Sequence, residues 1–148
     1  MHRSAPANLD AICVLLDEER RPLEVVSPGR LDNVNGSVVH TGDSPAGAST
    51  WDDERIFAFL DAVPQAVRSL VFGVVSSDGR PFCDVAGASC HVSDYRTEDK
   101  LLGVQLTALG LLTEYCVATL KRTRTGWIMQ PGAPGVSLRQ PLAMGPAS

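Results

Sequence analysis

The sequence predicts an all-β fold, a β-sandwich with short connecting turns and room for one short helix. Two observations carry this reading. The apolar residues come in short runs, such as 9–16 and 70–75, rather than in long amphipathic stretches. Turn-forming clusters rich in Gly, Pro, Asn, Asp and Ser separate those runs every 8 to 15 residues. A barrel or a βαβ fold fits this spacing less well, and there is no internal repeat.

The elements follow in order. The first apolar run covers 9–16 and ends in a charged turn at 17–21. Residues 23–26 form a short strand, which Ser27-Pro28-Gly29 breaks. Asn35-Gly36 is a strong turn signal placed just before Val38-Val39. Residues 41–53 are the most loop-like stretch, dominated by small residues without periodicity. Residues 56–60 read as a buried strand, with Phe57 and Phe59 assigned to the core. A turn or single helical turn around Pro64 occupies 61–68, and 70–75 is a continuous apolar strand closed by Ser76-Ser77-Asp78-Gly79. A further strand falls near 88–92.

The stretch 101–120 supports two readings. Leu102, Leu106, Leu109, Leu112, Cys116 and Leu120 recur at spacings of three and four, as on one face of a helix. Gly103 and Gly110 each weaken a helix by about 1 kcal/mol relative to Ala. Thr107, Thr113, Val117 and Thr119 are β-branched and favour a strand. Residues 115–121 are read as strand, 101–113 stay open, and 121–126 form a hairpin turn into Trp127-Ile128-Met129.

The 148 residues fit one domain. Residues 1–7 are read as a polar leader without the apolar core of a secretory signal, 8–130 as the domain, and 131–148 as a Pro-, Gly-, Ala- and Ser-rich tail. The tail has too little apolar content to fold by itself, and Leu138 and Leu142 are its residues able to dock. No apolar run approaches the roughly 20 residues needed to span a bilayer.

The formal net charge is -4, from 17 acids and 13 bases. Residues 1–99 hold 16 acids against 8 bases, and residues 100–148 hold 1 against 5. Such a chain is a poor partner for nucleic acid. Lys121, Arg122 and Arg124 form a small basic cluster, read as solvated in preference to docked on an anionic membrane. Cys13, Cys83, Cys90 and Cys116 include no Cys-x-x-Cys pair, and the expectation is buried, reduced thiols.

The residues that could carry chemistry lie between Asp43 and Glu54. Asp43, Asp52, Asp53 and Glu54 have no base among them. Close carboxylates repel, so such a cluster either fans into water or holds a cation. Calcium takes six to eight oxygens from carboxylates, carbonyls and water, whereas zinc and copper prefer nitrogen or sulfur. An EF-hand is excluded, because its sixth position demands Gly and Ala48 stands there.

Asn8-Leu9-Asp10, then Gly36-Ser37-Val38-Val39-His40-Thr41-Gly42-Asp43, then Asp52-Asp53-Glu54 resemble the TerD domain family, with matching spacing between the last two blocks. Val63-Pro64 followed by Leu70-Val71-Phe72 continues the resemblance, which covers residues 8–130. It implies a calcium-binding β-sandwich from bacterial tellurite-resistance and stress systems. It implies a non-enzymatic scaffold or sensor, cytoplasmic, in complexes with other stress-system proteins and TerD-like homologues at the inner face of the membrane. By the same resemblance the ligand candidates are Asp10, Asp43, Asp52, Asp53 and Glu54, with the Gly42 carbonyl as a further donor.

The loop departs from the family pattern. It lacks an Asn, a Thr and two glycines and gains Trp51, and Gly29-Arg30 stands where the family has a paired Asn. Fewer oxygens mean weakened or partly lost calcium binding, for which Asn33 and Asn35 are candidate replacements. The alternative reading is an interaction module that no longer binds calcium. Trp51 is read as packing on its own domain, and His40 as a hydrogen-bonded structural residue. An enzyme has only weak support, from a carboxylate cluster able to hold Mg²⁺ for phosphoryl chemistry: there is no Gly-rich phosphate loop, no plausible general base and no nucleophile with a partner.

Overall fold

A computed structural model describes residues 9–41, 56–76, 79, 81–84, 89–93, 100–132 and 138. Strands dominate, and no α-helix occurs among the described residues. In chain order the strands are β1 (Leu9–Leu16), β2 (Pro22–Val26), β3 (Val38–His40), β4 (Ile56–Ala58), β5 (Ser69–Ser76), β6 (Ser89–Ser93), β7 (Lys100–Gln105), β8 (Glu114–Arg122) and β9 (Trp127–Pro131). Five of them form an antiparallel sheet in the order β2-β1-β5-β8-β9, and β3–β4 and β6–β7 are separate antiparallel pairs.

Burial on both faces explains why β1 and β5 read as continuous apolar runs and not as alternating ones. Cys13, Leu15, Val26 and Leu70 face one side, where Val38, Ile56 and Ala58 of the β3–β4 pair and Val63 and Val67 pack on them. Ile12, Val14, Leu16, Val71 and Val75 face the other, together with Leu138 from the C-terminal segment. Each fully buried Leu or Ile contributes about 1.5–3 kcal/mol of apolar transfer free energy.

The turns are held by short polar side chains. At 17–21 the Asp17 carboxylate accepts the Arg21 backbone N–H at 2.8 Å, and Arg21 Nε lies 3.2 Å from its second oxygen. These bonds hold the Asp17 carboxyl below its ordinary range, the backbone N–H first. Between β2 and β3 the buried Asn33 accepts the Val38 N–H at 3.0 Å and donates to Ser37 Oγ at 2.9 Å. Gly36 completes this turn with φ +73°, a region open to glycine at little cost.

Several expectations need correction. The strand at 56–60 stops at Ala58, and Leu60–Ala62 is a 3-10 turn. Phe59 is therefore not core: it is 53% exposed, while Phe57 is half-buried in β4. The open stretch 101–113 resolves as β7 followed by a 3-10 turn at Leu106–Leu109 and an irregular turn through Gly110, whose φ is +62°. The spacing of three and four is thus a coincidence of strand and turn residues. Cys13 is buried as expected and burial pushes its thiol up, but Cys83 is exposed and Cys116 half-buried. The side chain of Cys90 lies outside the described residues.

Arg122 is also not a solvated hairpin charge. Its guanidinium donates to the carbonyls of Val67 at 3.0 Å, Pro64 at 3.0 Å and Val63 at 3.2 Å, and it lies over the Trp127 ring at 4.3 Å. It ties β8 to the turn that precedes β5.

Candidate functional site

The segment carrying the acidic residues leaves from β3 and returns into β4. Val38 pairs with Ala58, Val39 with Phe57 and His40 with Ile56, so its two roots are side-by-side neighbours on an antiparallel pair. The pair is short because the run Val38-Val39-His40 gives way to Thr41-Gly42. Of the six ligand candidates, Asp10 lies among the described residues, and Gly42, Asp43, Asp52, Asp53 and Glu54 lie outside them, as does Trp51.

His40 fixes the root against the main sheet. It is 2% exposed, and its Nε2 is 3.0 Å from the Ala11 carbonyl oxygen. A carbonyl only accepts, so Nε2 carries the proton of this bond. The His40 backbone N–H donates to Leu31 O at 2.7 Å. His40 is thus the hydrogen-bonded structural residue that the sequence led one to expect.

This bond brings the root beside the first residues of β1, and Asp10 is the neighbour of Ala11. Alternation along the strand puts Asp10 on the face of Ile12, Val14 and Leu16. The β3–β4 pair packs on the opposite face, that of Cys13 and Leu15. Asp10 pairs with Val75, which pairs with Glu114 on β8, so the two carboxylates flank Val75 in one row.

The neighbouring donors are engaged locally. Asn33 Oδ1 accepts the Val38 N–H, and Asn35 Oδ1 accepts both the Ser37 N–H at 3.1 Å and Asn33 Nδ2 at 3.2 Å. Asn35 Nδ2 donates to Ala62 O at 2.8 Å, tying the turn to the segment after β4. Both side chains build the turn. Arg30 Nη2 sits 2.6 Å from Glu24 Oε1, which also accepts the Val34 N–H at 2.9 Å. The sequence shows the charge of Arg30 but hides that Glu24, six residues earlier on β2, matches it. Among the described residues no three His, Cys, Asp or Glu side chains come together as a metal cluster.

The TerD domain model matches residues 2–142 of the chain. The chain belongs to the TerD family. Tellurium resistance protein TerZ of Serratia marcescens is 36% identical over 120 residues, covering 81% of this chain and 62% of that protein. General stress protein 16U of Bacillus subtilis is 30% identical over 106 residues, covering 67% of this chain and 55% of that protein. The chain thus spans about three fifths of the length of these TerD-family relatives. The crystal structure of a homologue of telluride resistance protein (TerD) from Streptomyces coelicolor superposes with a TM-score of 0.73 at 21% identity, covering 90% of this chain and 82% of that one. That likeness shows the fold, an all-β TerD architecture.

Proposed function

We propose that this TerD-family chain is a calcium-binding, non-enzymatic module of a bacterial stress-response system of the tellurium-resistance type. The carrying observation is the acidic segment whose roots are clamped at His40 and Ile56 beside the start of β1. Asp43, Asp52, Asp53 and Glu54 offer carboxylate oxygens only, a donor set that suits calcium and not a soft metal. The names of the relatives, for tellurium resistance and general stress, support the system in which it works.

Calcium entering the segment cancels the repulsion among the carboxylates and couples binding to ordering. The ordered segment then presents a surface to other stress-system proteins, in the cytoplasm or at the inner membrane face. Calorimetry with calcium, on the full chain and on Asp52→Ala and Asp53→Ala, tests this. The expected result is a binding heat and a raised melting temperature relative to chelator, both reduced or lost in the variants. No heat and identical melting in calcium and chelator would sink the calcium reading.

A second reading is favoured by the Glu24–Arg30 pair. A guanidinium already satisfies a carboxylate on β2, so a cation is built into the chain there. On this reading the domain works through its surface without calcium, in an assembly with related domains, and its melting is unchanged by chelator while partners co-purify.

A further inference from the structure

Arg68 and Arg122 meet at the end of the main sheet where β1 finishes at Leu16. The β5–β8 ladder runs up to Ser69 opposite Lys121, and its next step is a bond from the Arg122 N–H to Arg68 O at 2.9 Å. On the other side the Arg68 N–H donates to Leu16 O at 2.8 Å. Two arginines therefore stand opposite each other where β5 begins. The Arg68 charge is close enough to help pull the Arg122 guanidinium down. Like charges placed opposite one another across a sheet are destabilising.

Among the described residues no acid relieves them. Arg68 is half-buried, and its side chain has no ion pair or hydrogen bond there. Asp17, which follows Leu16, is committed to Arg21 within its own turn. Arg122 cannot swing away. Its Nε is held by Val67 O and its Nη2 by Val63 O and Pro64 O, with the Trp127 ring against the guanidinium. A guanidinium has five N–H groups, and these bonds use the one on Nε and both on Nη2. The N–H groups of Nη1 are left over, beside those of Arg68.

A pair of merely solvated arginines would separate, and this pair is pinned on one side. A carboxylate would neutralise only one of the two charges. A phosphate group carries up to two and offers three acceptor oxygens to the planar forks of arginine. We infer that Arg68 and Arg122 form a binding site for a phosphate group, with Arg122 as its fixed donor. The site lies at the Leu16 end of β1, whereas Asp10 lies near the other end, so it does not depend on calcium in the acidic segment. A bound phosphate cancels the repulsion and stabilises the native chain by mass action.

Thermal unfolding of the full chain at constant ionic strength, with sodium phosphate against sodium acetate, tests this. Phosphate is expected to raise the wild-type melting temperature, and acetate to leave it unchanged. Arg68→Gln is expected to bind phosphate at least tenfold more weakly. Arg124→Gln removes the same charge from the exposed turn and is expected to bind as the wild type does. Sedimentation with phosphatidylcholine vesicles carrying phosphatidate identifies the source of the group. Wild type carried down while Arg68→Gln stays in solution assigns it to a lipid headgroup, and wild type left in solution assigns it to a soluble phosphate ester. The proposal is overturned if phosphate protects no better than acetate. It is equally overturned if Arg68→Gln and Arg124→Gln respond alike, because a diffuse positive field then acts in place of a site.

Discussion

Arg122 sits where β8 hands over to the last hairpin, and its three carbonyl acceptors belong to a segment more than fifty residues earlier in the chain. Burial, with the neighbouring Arg68 charge second, pulls its guanidinium below its ordinary range, though it stays protonated at any physiological pH. Removing it takes this donor from the Val63 and Val67 carbonyls, while Pro64 O keeps the Val67 N–H at 2.9 Å, and hydrogen bonds to a charged group are worth about 1.5–3 kcal/mol. Arg122→Ala is therefore expected to lower the unfolding free energy by about 2 kcal/mol, whereas exposed Arg124→Ala changes it by less than about 0.5 kcal/mol. Urea denaturation of the two variants separates them, and equal, small effects would show that the clasp contributes nothing. The sequence could not show this role. Lys121, Arg122 and Arg124 announce charge alike, and what distinguishes Arg122 is a turn that only the folded chain brings to it. Phe59 is the converse case: an aromatic beside a strand reads as core, but the chain has already turned into the Leu60–Ala62 3-10 segment.

The β1–β2 hairpin shows how an element is fixed at its turn. Arg20 has φ 64°, in the left-handed region, while the Arg20 N–H donates to Asp17 O at 3.0 Å and the Asp17 N–H to Arg21 O at 2.9 Å. A side chain in that conformation costs about 1–2 kcal/mol, against about 0.5–1 kcal/mol for the extra freedom glycine brings to the unfolded chain. Arg20→Gly is thus expected to raise stability by about 0.5 kcal/mol, read as a higher denaturation midpoint with an unchanged slope. A lower midpoint would mean that Arg20 makes contacts outweighing its strain. Elements buried on both faces were the legible ones: the apolar runs at 9–16 and 70–75 mark β1 and β5 nearly to the residue. Residues 101–113 were not, because a short strand followed by a 3-10 turn places leucines at helical spacing without a helix. In the candidate site the His40–Ala11 bond follows the hydrogen-bonding role expected of His40, whereas Gly42, Asp43, Asp52, Asp53 and Glu54 lie outside the described residues. The facing of Asp10 was legible only once the register of β1 was known.

At the scale of the molecule, the central sheet carries an apolar cluster on each face and a thiol on each: Cys13 buried within one, Cys116 half-buried against the other. Burial pushes both thiols above their ordinary value of 9.0, Cys116 with added help from the Glu114 carboxylate. In the unfolded chain the same thiols ionise near their ordinary value. Above it, the native state binds more protons than the unfolded state, so stability must fall as pH rises. Below it, both states are protonated and the two thiols make no pH-dependent contribution. The slope for one fully protected thiol approaches about 1.4 kcal/mol per pH unit. Urea titrations in reductant at pH 7.5, 9 and 10 are expected to show little thiol-linked loss over the first interval and a clear loss over the second. Cys13→Ala should flatten the second interval by most of one thiol's share, whatever its stability at neutral pH, because the substitution removes the titrating group. Cys116→Ala should flatten it less, since that thiol is half-buried. Parallel pH curves for wild type and Cys13→Ala would mean that the sheet opens to water around Cys13 before it unfolds, and that the core on the β3–β4 side is not sealed.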